Sequence, residues 1–104
     1  MRTLIYLTAA TMMTATAAIA APATIKLKGA NLAPMASVTL AAAQASALAA
    51  RPGVITDQEL EKEAGGSGLR YSFDIKSKGK AFEVGVDART GKLLENKAEG
   101  PKAD

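Results

Sequence analysis

Few residue types in this chain could do chemistry. It has no cysteine and no histidine, so thiol catalysis, disulfides, thiolate metal sites and the commonest general base are absent. Serine, threonine, lysine, tyrosine and carboxylate groups remain, on 104 residues that allow one small domain. We therefore expect no catalytic residue, no cofactor and no bound metal, and we predict that the protein is not an enzyme.

The densest group of reactive side chains is a row of alternating carboxylates, Asp57, Glu59, Glu61 and Glu63. Alternate residues of a strand project from one face, so the four would form an acidic strip. They could bind a cation or dock a basic partner, or they could form a solvated face paired with Arg70 and Lys76. The solvated face is favoured, because one strand rarely supplies the roughly six to eight oxygen ligands that calcium takes.

Three other patterns resemble functional motifs, but each has a structural interpretation that is favoured. The sequence from Ser77 to Lys80 matches the S-x-x-K pattern of serine acyl enzymes, yet it lies in a predicted hairpin tip. Gly65-Gly66-Ser67-Gly68 lacks the ending of a phosphate-binding loop and is predicted to be a flexible turn. An aromatic platform for nucleic acid is disfavoured because the core needs the same residues, Tyr71, Phe73 and Phe82.

The N-terminal segment has the pattern of a secretory signal peptide. Arg2 precedes 23 uncharged residues, and an A-x-A sequence ends at Ala20. We predict a signal peptide over residues 1–20, cleavage between Ala20 and Ala21, and a periplasmic or secreted protein with no stable membrane insertion afterwards. An uncleaved anchor is less favoured, because alanine and threonine insert weakly. The mature chain would carry 12 basic and 10 acidic residues, a balance that argues against nucleic acid as partner.

One helix is predicted over residues 40–50, LAAAQASALAA, which is rich in strong helix formers. Thr39 suits the N-cap position, and Arg51-Pro52-Gly53 should end the helix because the residue before proline leaves the helical region. Residues 21–37 are interpreted as a leader or linker in which Ile25-Lys26-Leu27-Lys28 could add a short strand. Residues 97–104 are interpreted as a polar tail.

After the helix the hydrophobic period changes to two, which indicates strands. They are predicted over residues 54–63, 69–76, 81–87 and 92–96. The fold class is therefore α+β, with one N-terminal helix packed on an antiparallel three- to four-stranded meander spanning residues 38–96.

The register of the central hairpin can be derived from the sequence. If Ser77 lies opposite Lys80, Phe73 faces Val84 on an apolar face, and Arg70 faces Asp87 on the other face. In the preceding hairpin the same reasoning places Leu60 on the apolar face. Strict alternation then puts Ile55 with the acidic row.

The last turn has its own signature. Asp87 can hydrogen-bond its own backbone, and Gly91 can take a positive φ. Asp87, Thr90 and Gly91 are therefore predicted to be structural turn residues.

These pieces in this order resemble the PepSY domain. Thr39-Leu40 with Ala43 and Ala47 is similar to that family's Ser/Thr-Leu-x-x-Ala-x-x-x-Ala helix start, and the sequence from Val86 to Leu94 resembles its closing Val-Asp-x-x-Thr-Gly-x-x-Leu hairpin. The resemblance implies a secreted module without catalytic residues that regulates or inhibits a peptidase, or that acts locally in the cell envelope.

Two functions remain open at this point. The first is a binding module for a protein partner such as a secreted peptidase, which an exposed edge strand would favour. The second is a small self-associating envelope protein, as a homodimer, with a structural or ligand-buffering role, which an apolar outer face would favour. The first strand is expected at the sheet edge, and its predicted partner-binding residues are Ile55, Asp57, Gln58, Glu59 and Glu61.

Overall fold

The fold comes from a computed structural model, which describes residues 25–100. It has one α-helix and one five-stranded sheet, so the predicted α+β arrangement is confirmed with one strand more than expected. The helix α1 is Leu40–Ala50, and a short 3-10 helix covers Ala30–Met35. The strands are β1 Leu27–Lys28, β2 Val54–Lys62, β3 Leu69–Ser77, β4 Lys80–Asp87 and β5 Leu93–Ala98. The predicted cleavage residues Ala20 and Ala21 lie outside the described residues.

Helix α1 begins and ends where the sequence predicts. The Thr39 hydroxyl accepts a hydrogen bond from the Ala42 amide at 3.1 Å, which caps the first turn. At the other end the Arg51 amide donates to the Ala47 carbonyl at 2.8 Å. Ala43 and Ala47 are fully buried, and their small side chains allow the helix to lie close to the sheet.

The strand order is β1-β2-β3-β4-β5, with an antiparallel meander from β2 to β5. The register between β3 and β4 is the predicted one, from Ser77 opposite Lys80 to Arg70 opposite Asp87. It places Phe73 opposite Val84 on the face that α1 covers, and both are fully buried. This face of the sheet and the helix enclose the hydrophobic core.

Strand β2 contains a bulge that the predicted alternation did not include. Ile55 pairs with Ile75 and Asp57 pairs with Asp74, so Thr56 is an extra residue without an opposite partner. An extra residue reverses the side on which the preceding side chains project. Ile55 therefore points into the core, where it is 2% exposed, and the prediction that it shares the acidic face is wrong.

The segment predicted to be a linker is part of the folded unit. Leu27 and Lys28 form β1, which runs parallel to β2 beside Gln58 and Glu59. The Gln58 side chain donates to the Ile25 carbonyl at 2.8 Å and accepts from Gln44 at 2.8 Å. Strand β1 thus covers the middle of the β2 edge, which the meander alone would leave open.

The predicted polar tail also begins later than expected. Lys97 and Ala98 continue β5 and lie opposite Glu83 and Phe82. Strand β5 forms the other edge of the sheet.

Candidate functional site

The sheet face opposite α1 is strongly acidic. Carboxylates from three adjacent strands surround a shallow depression of about 320 Å³, together with Gln58 and Ser72. We call these carboxylates the acidic face: Asp57, Glu59, Glu61, Glu63, Asp74 and Glu83. The predicted strip on one strand is therefore one part of a wider surface.

Three of these carboxylates stand in one row across the sheet. Asp74 lies directly opposite Asp57 on β2 and directly opposite Glu83 on β4. Like charges in opposite cross-strand positions destabilise a sheet. A lysine closes the row at each side: Lys28 Nζ is 2.9 Å from Asp57 Oδ2, and Lys97 lies opposite Glu83 on β5. Asp74, in the middle, has no cation opposite it.

The crowding changes how readily these groups ionise. Burial raises the pKa of Asp74 to about 6, and its hydrogen bond to Glu99 and the nearby negative charges add to this effect. Burial also raises the pKa of Glu83, with the charges of Glu95 and Asp74 contributing. A hydrogen bond to Glu61 raises the pKa of Glu63. The ionised carboxylates of this face therefore have too little positive charge beside them, and a cationic partner would supply it.

Arg70 lies beside the acidic face, and 8% of its surface is exposed. Its Nη1 is 3.5 Å from Glu95, its Nε is 3.9 Å from Glu63, and its Nη2 donates to the Ala64 carbonyl at 3.1 Å. The side chain packs over Gly85, where an added Cβ would stand 3.4 Å from Nη1. Arg70 thus compensates one side of the acidic face and leaves the row at Asp74 uncompensated.

Asp87 lies opposite Arg70, but its carboxylate bonds elsewhere. Oδ1 accepts from the Ser67 hydroxyl at 2.7 Å and from the amides of Arg89 and Thr90 at 2.8 and 3.1 Å. Oδ2 accepts from the Ser67 amide at 2.6 Å. Burial alone would raise the pKa of Asp87, but these hydrogen bonds outweigh it and hold the pKa well below its usual range. Asp87 is therefore a buried turn residue that contributes no surface charge.

The other turn residues form the rest of the β4–β5 connection. The Thr90 hydroxyl accepts from the Lys92 amide at 3.2 Å. Gly91 has φ +78°, and its amide donates to the Asp87 carbonyl at 2.9 Å.

The structure divides the predicted partner-binding residues into two groups. Asp57, Glu59 and Glu61 lie on the acidic face with at least part of each side chain exposed. Ile55 and Gln58 are 2% and 3% exposed, so their side chains do not lie on the exposed acidic face. The bulge turns Ile55 inward, and the amide of Gln58 is used by the leader segment and α1.

Sequence reasoning did not assign Asp74 and Glu83 to this surface, although a signal for them was present. The register that places Phe73 opposite Val84 also places Asp74 opposite Glu83. Whether that pair lies beside the acidic strip of β2 depends on the register between β2 and β3 beyond the bulge.

Two other features bear on what the site can do. Among residues 25–100, no three carboxylates are grouped so that they could hold a metal ion. No helix in that range is both long and apolar enough to cross a membrane.

Residues 25–100 form an α+β domain in which one α-helix covers one face of a mostly antiparallel sheet and the other face is acidic. The family model for the peptidase propeptide and YPEB domain, PepSY, matches residues 37–97, and the chain belongs to this family. No curated protein and no solved structure matches the chain.

Proposed function

We propose that this protein is an exported binding module that regulates or inhibits a peptidase, and that the acidic face is its contact surface. The observation that carries the proposal is the row of Asp57, Asp74 and Glu83, three directly opposed carboxylates on a sheet face that the helix does not cover. Family membership supports a peptidase as the class of partner. The signal-peptide pattern of residues 1–20 supports export.

The physical reason lies in the unfavourable electrostatics of the free protein. Opposed like charges reduce stability, and the raised pKa of Asp74 reflects the poor environment of its ionised form. Lysine or arginine side chains of a partner would supply the missing positive charge. Complementary charge of this kind chiefly sets the rate and specificity of association. The proposed partner therefore presents a basic surface.

Strand addition would have to use a different edge from the one predicted. Strand β1 covers the middle of the β2 edge, whereas β5 has no further strand beside it in the described part of the chain. The self-associating alternative depended on an apolar outer face, and this face is acidic. The observations thus favour recognition of a partner of opposite charge over pairing of identical acidic faces.

The test measures capture of envelope proteins and inhibition of secreted metallopeptidases by the exported protein. A variant with Asp57→Asn, Glu59→Gln and Glu61→Gln should lose partner capture by about tenfold or more. The three charges together are expected to contribute on the order of 1 kcal/mol or more to the free energy of binding. Its circular dichroism spectrum should stay native-like. The matched control is Lys62→Gln, a single change of charge at an exposed position of the same strand.

Two results would contradict the proposal. One is that no partner is captured and no peptidase is inhibited. The other is that the triple variant captures the same partner as strongly as the wild type while raised salt has no effect on either.

A further inference from the structure

A second surface lies on the helix side of the sheet, where α1 ends before the sheet does. Ser77, Lys80 and Phe82 belong to the core-facing rows of β3 and β4, but they extend past Ala50, the last residue of the helix. With three neighbours they line an open depression of about 340 Å³. We call this depression the basic cleft, and its lining residues are Arg51, Pro52, Ser77, Lys78, Lys80 and Phe82.

The Arg51 side chain makes two contacts that hold it in this cleft. Its guanidinium carbon lies 3.9 Å from the centroid of the Phe82 ring, a cation–π contact. Its Nε donates to Asn96 Oδ1 at 3.1 Å. In residues 25–100, neither Nη nitrogen makes a hydrogen bond, so both are available to a ligand. Two parallel N–H donors on a fixed plane suit the two oxygens of a phosphate or a carboxylate.

The carboxyl end of a helix has a partial negative charge that would oppose an anion. Here two of its last four carbonyl groups accept hydrogen bonds. Asn96 Nδ2 donates to the Ala50 carbonyl at 3.3 Å, and the Arg51 amide donates to the Ala47 carbonyl. Asn96, which holds the Arg51 side chain in position, therefore also weakens the unfavourable field.

Lys78 is the second unusual feature of the cleft. It has φ +50° and is the only non-glycine residue with positive φ among residues 25–100. Two-residue hairpin turns of this kind favour asparagine or aspartate before glycine, because those residues tolerate the left-handed region. A lysine there is conformationally unfavourable, and it places a cation at the mouth of the cleft. Strained residues of this kind tend to occur at functional sites.

The charges of the cleft are uncompensated within the described part of the chain. Lys28, Arg70 and Lys97 each have a carboxylate within 4 Å. Arg51, Lys78 and Lys80 have none in residues 25–100, as is also true of Lys62 and Lys76, so what distinguishes the cleft is that three such cations line it together. Glu99, whose amide donates to the Ala81 carbonyl next to Lys80, has its side chain hydrogen-bonded to Asp74 on the opposite face of the sheet.

From these contacts we propose that the basic cleft binds a phosphate monoester that carries a flat apolar group. The phosphate oxygens accept from the Nη groups of Arg51 and from the ammonium groups of Lys78 and Lys80. The apolar group lies against Phe82 and Pro52. This site is on the other side of the sheet from the acidic face, so it does not depend on the proposed peptidase contact.

The experiment is an NMR titration of the exported protein with phenyl phosphate. The amides of Arg51, Ser77 to Lys80 and Phe82 should shift and saturate. Inorganic phosphate, which lacks the apolar group, should bind about tenfold more weakly at the same residues. Benzyl alcohol, which lacks the charge, should leave these amides unchanged.

Two variants separate the parts of the site. Arg51→Gln should weaken phenyl phosphate binding by about tenfold or more, because it removes the bidentate donor. Lys78→Gly should weaken binding while the melting temperature stays equal or rises, because glycine accepts the positive φ. Lys62→Gln, at the opposite end of the sheet, is the control and should bind as the wild type does.

The proposal is overturned if phenyl phosphate leaves the cleft amides unmoved. It is also overturned if folded Arg51→Gln binds with wild-type affinity, or if benzyl alcohol produces the same shifts. Vesicles that contain phosphatidic acid, whose headgroup is itself a phosphate monoester, identify the source of the ligand. Competition with phenyl phosphate assigns the site to a lipid headgroup, and its absence, with phenyl phosphate still bound, assigns it to a soluble phosphate ester.

Discussion

Asp87 and Ser67 are joined through both oxygens of the carboxylate. The Ser67 amide donates to Oδ2 at 2.6 Å, and the Ser67 hydroxyl donates to Oδ1 at 2.7 Å. These bonds connect the β2–β3 turn with the β4–β5 turn. The approach is so close that a Cβ at Gly66, which has φ +55°, would overlap Asp87 Oδ2. The meander is therefore closed at this end by one buried charge.

Replacing that charge tests its contribution to stability. Asp87→Asn keeps the shape of the side chain, but it weakens or mismatches the hydrogen bonds from the Ser67 and Arg89 amides. It should therefore lower the free energy of unfolding at pH 7 by about 2–3 kcal/mol. Urea denaturation measures this effect. Ser67→Ala removes the hydroxyl donor but keeps the hydrogen bond from the Ser67 backbone amide. It should lower the free energy of unfolding by about 1 kcal/mol. Equal and negligible losses in both variants would contradict a stabilising role.

The Asp87 carboxylate should also make the stability of the protein fall at acidic pH. The pKa of Asp87 is lower in the folded than in the unfolded state, so its contribution is present above the unfolded value near 4 and is lost as pH falls further. The wild type should lose stability steeply below about pH 4, and Asp87→Asn should show a flatter curve there. Parallel curves for the two proteins below that pH would disprove this assignment.

Asp74 should have the opposite effect on how stability depends on pH, at a higher pH than Asp87. Its pKa is raised from 3.8 to about 6 on folding, so the folded state binds more protons between these values and stability falls as pH rises through that window. Asp74→Asn should therefore stabilise the protein at pH 7.5, by about 1 kcal/mol after solvent screening of this partly exposed group. At pH 4 the gain should vanish. Glu59→Gln, at an exposed position, is the control and should change stability little at either pH.

The bulge in β2 is tested by two neighbouring residues. Ile55 is 2% exposed and Val54 is 61% exposed. Ile55→Ala should lower the free energy of unfolding by about 2–4 kcal/mol, because it leaves a cavity in the core. Val54→Ala should change it by less than about 0.5 kcal/mol. Strict alternation along the strand predicts the reverse order, so thermal or urea denaturation of the pair decides between the two registers.

Gln58 is predicted to hold the leader segment on the sheet. Gln58→Leu would leave the Ile25 carbonyl and the Gln44 amide without their partner, so β1 should detach. Hydrogen exchange should show loss of protection at Leu27 and Lys28 while β3 and β4 stay protected. Gln44→Ala, which keeps the bond from Gln58 to Ile25, is the control. If β1 stays protected in Gln58→Leu, its docking depends on other contacts.

Several parts of this fold follow from local sequence alone. The N-cap at Thr39 and the helix end before Pro52 depend on residues within one or two turns. The β3–β4 register follows from two alternating apolar rows joined by a two-residue turn, because a shift by one residue would bury charges. The turn at Asp87 is local too, because its carboxylate accepts hydrogen bonds from the amides two and three residues later in the chain.

Other parts were decided by contacts between distant segments. Strict alternation could not reveal the bulge at Thr56, because the inward turn of Ile55 is stabilised by its burial in the core opposite Ile75 on β3. The docking of β1 depends on Gln58, 31 residues beyond Leu27, and a two-residue strand has too weak a local pattern to predict it.

The two candidate sites show the same division most clearly. Sequence periodicity determined that the carboxylates of β2 share one face, because side chains alternate along a strand. Only the tertiary structure placed Asp74 and Glu83 beside them, through the register that follows the bulge. Only the tertiary structure brought the end of α1 onto the β3–β4 hairpin, so that Arg51 stacks on Phe82 next to Lys78. Surfaces built from several strands or from a helix end and a turn depend on packing between segments, and no local pattern encodes that packing.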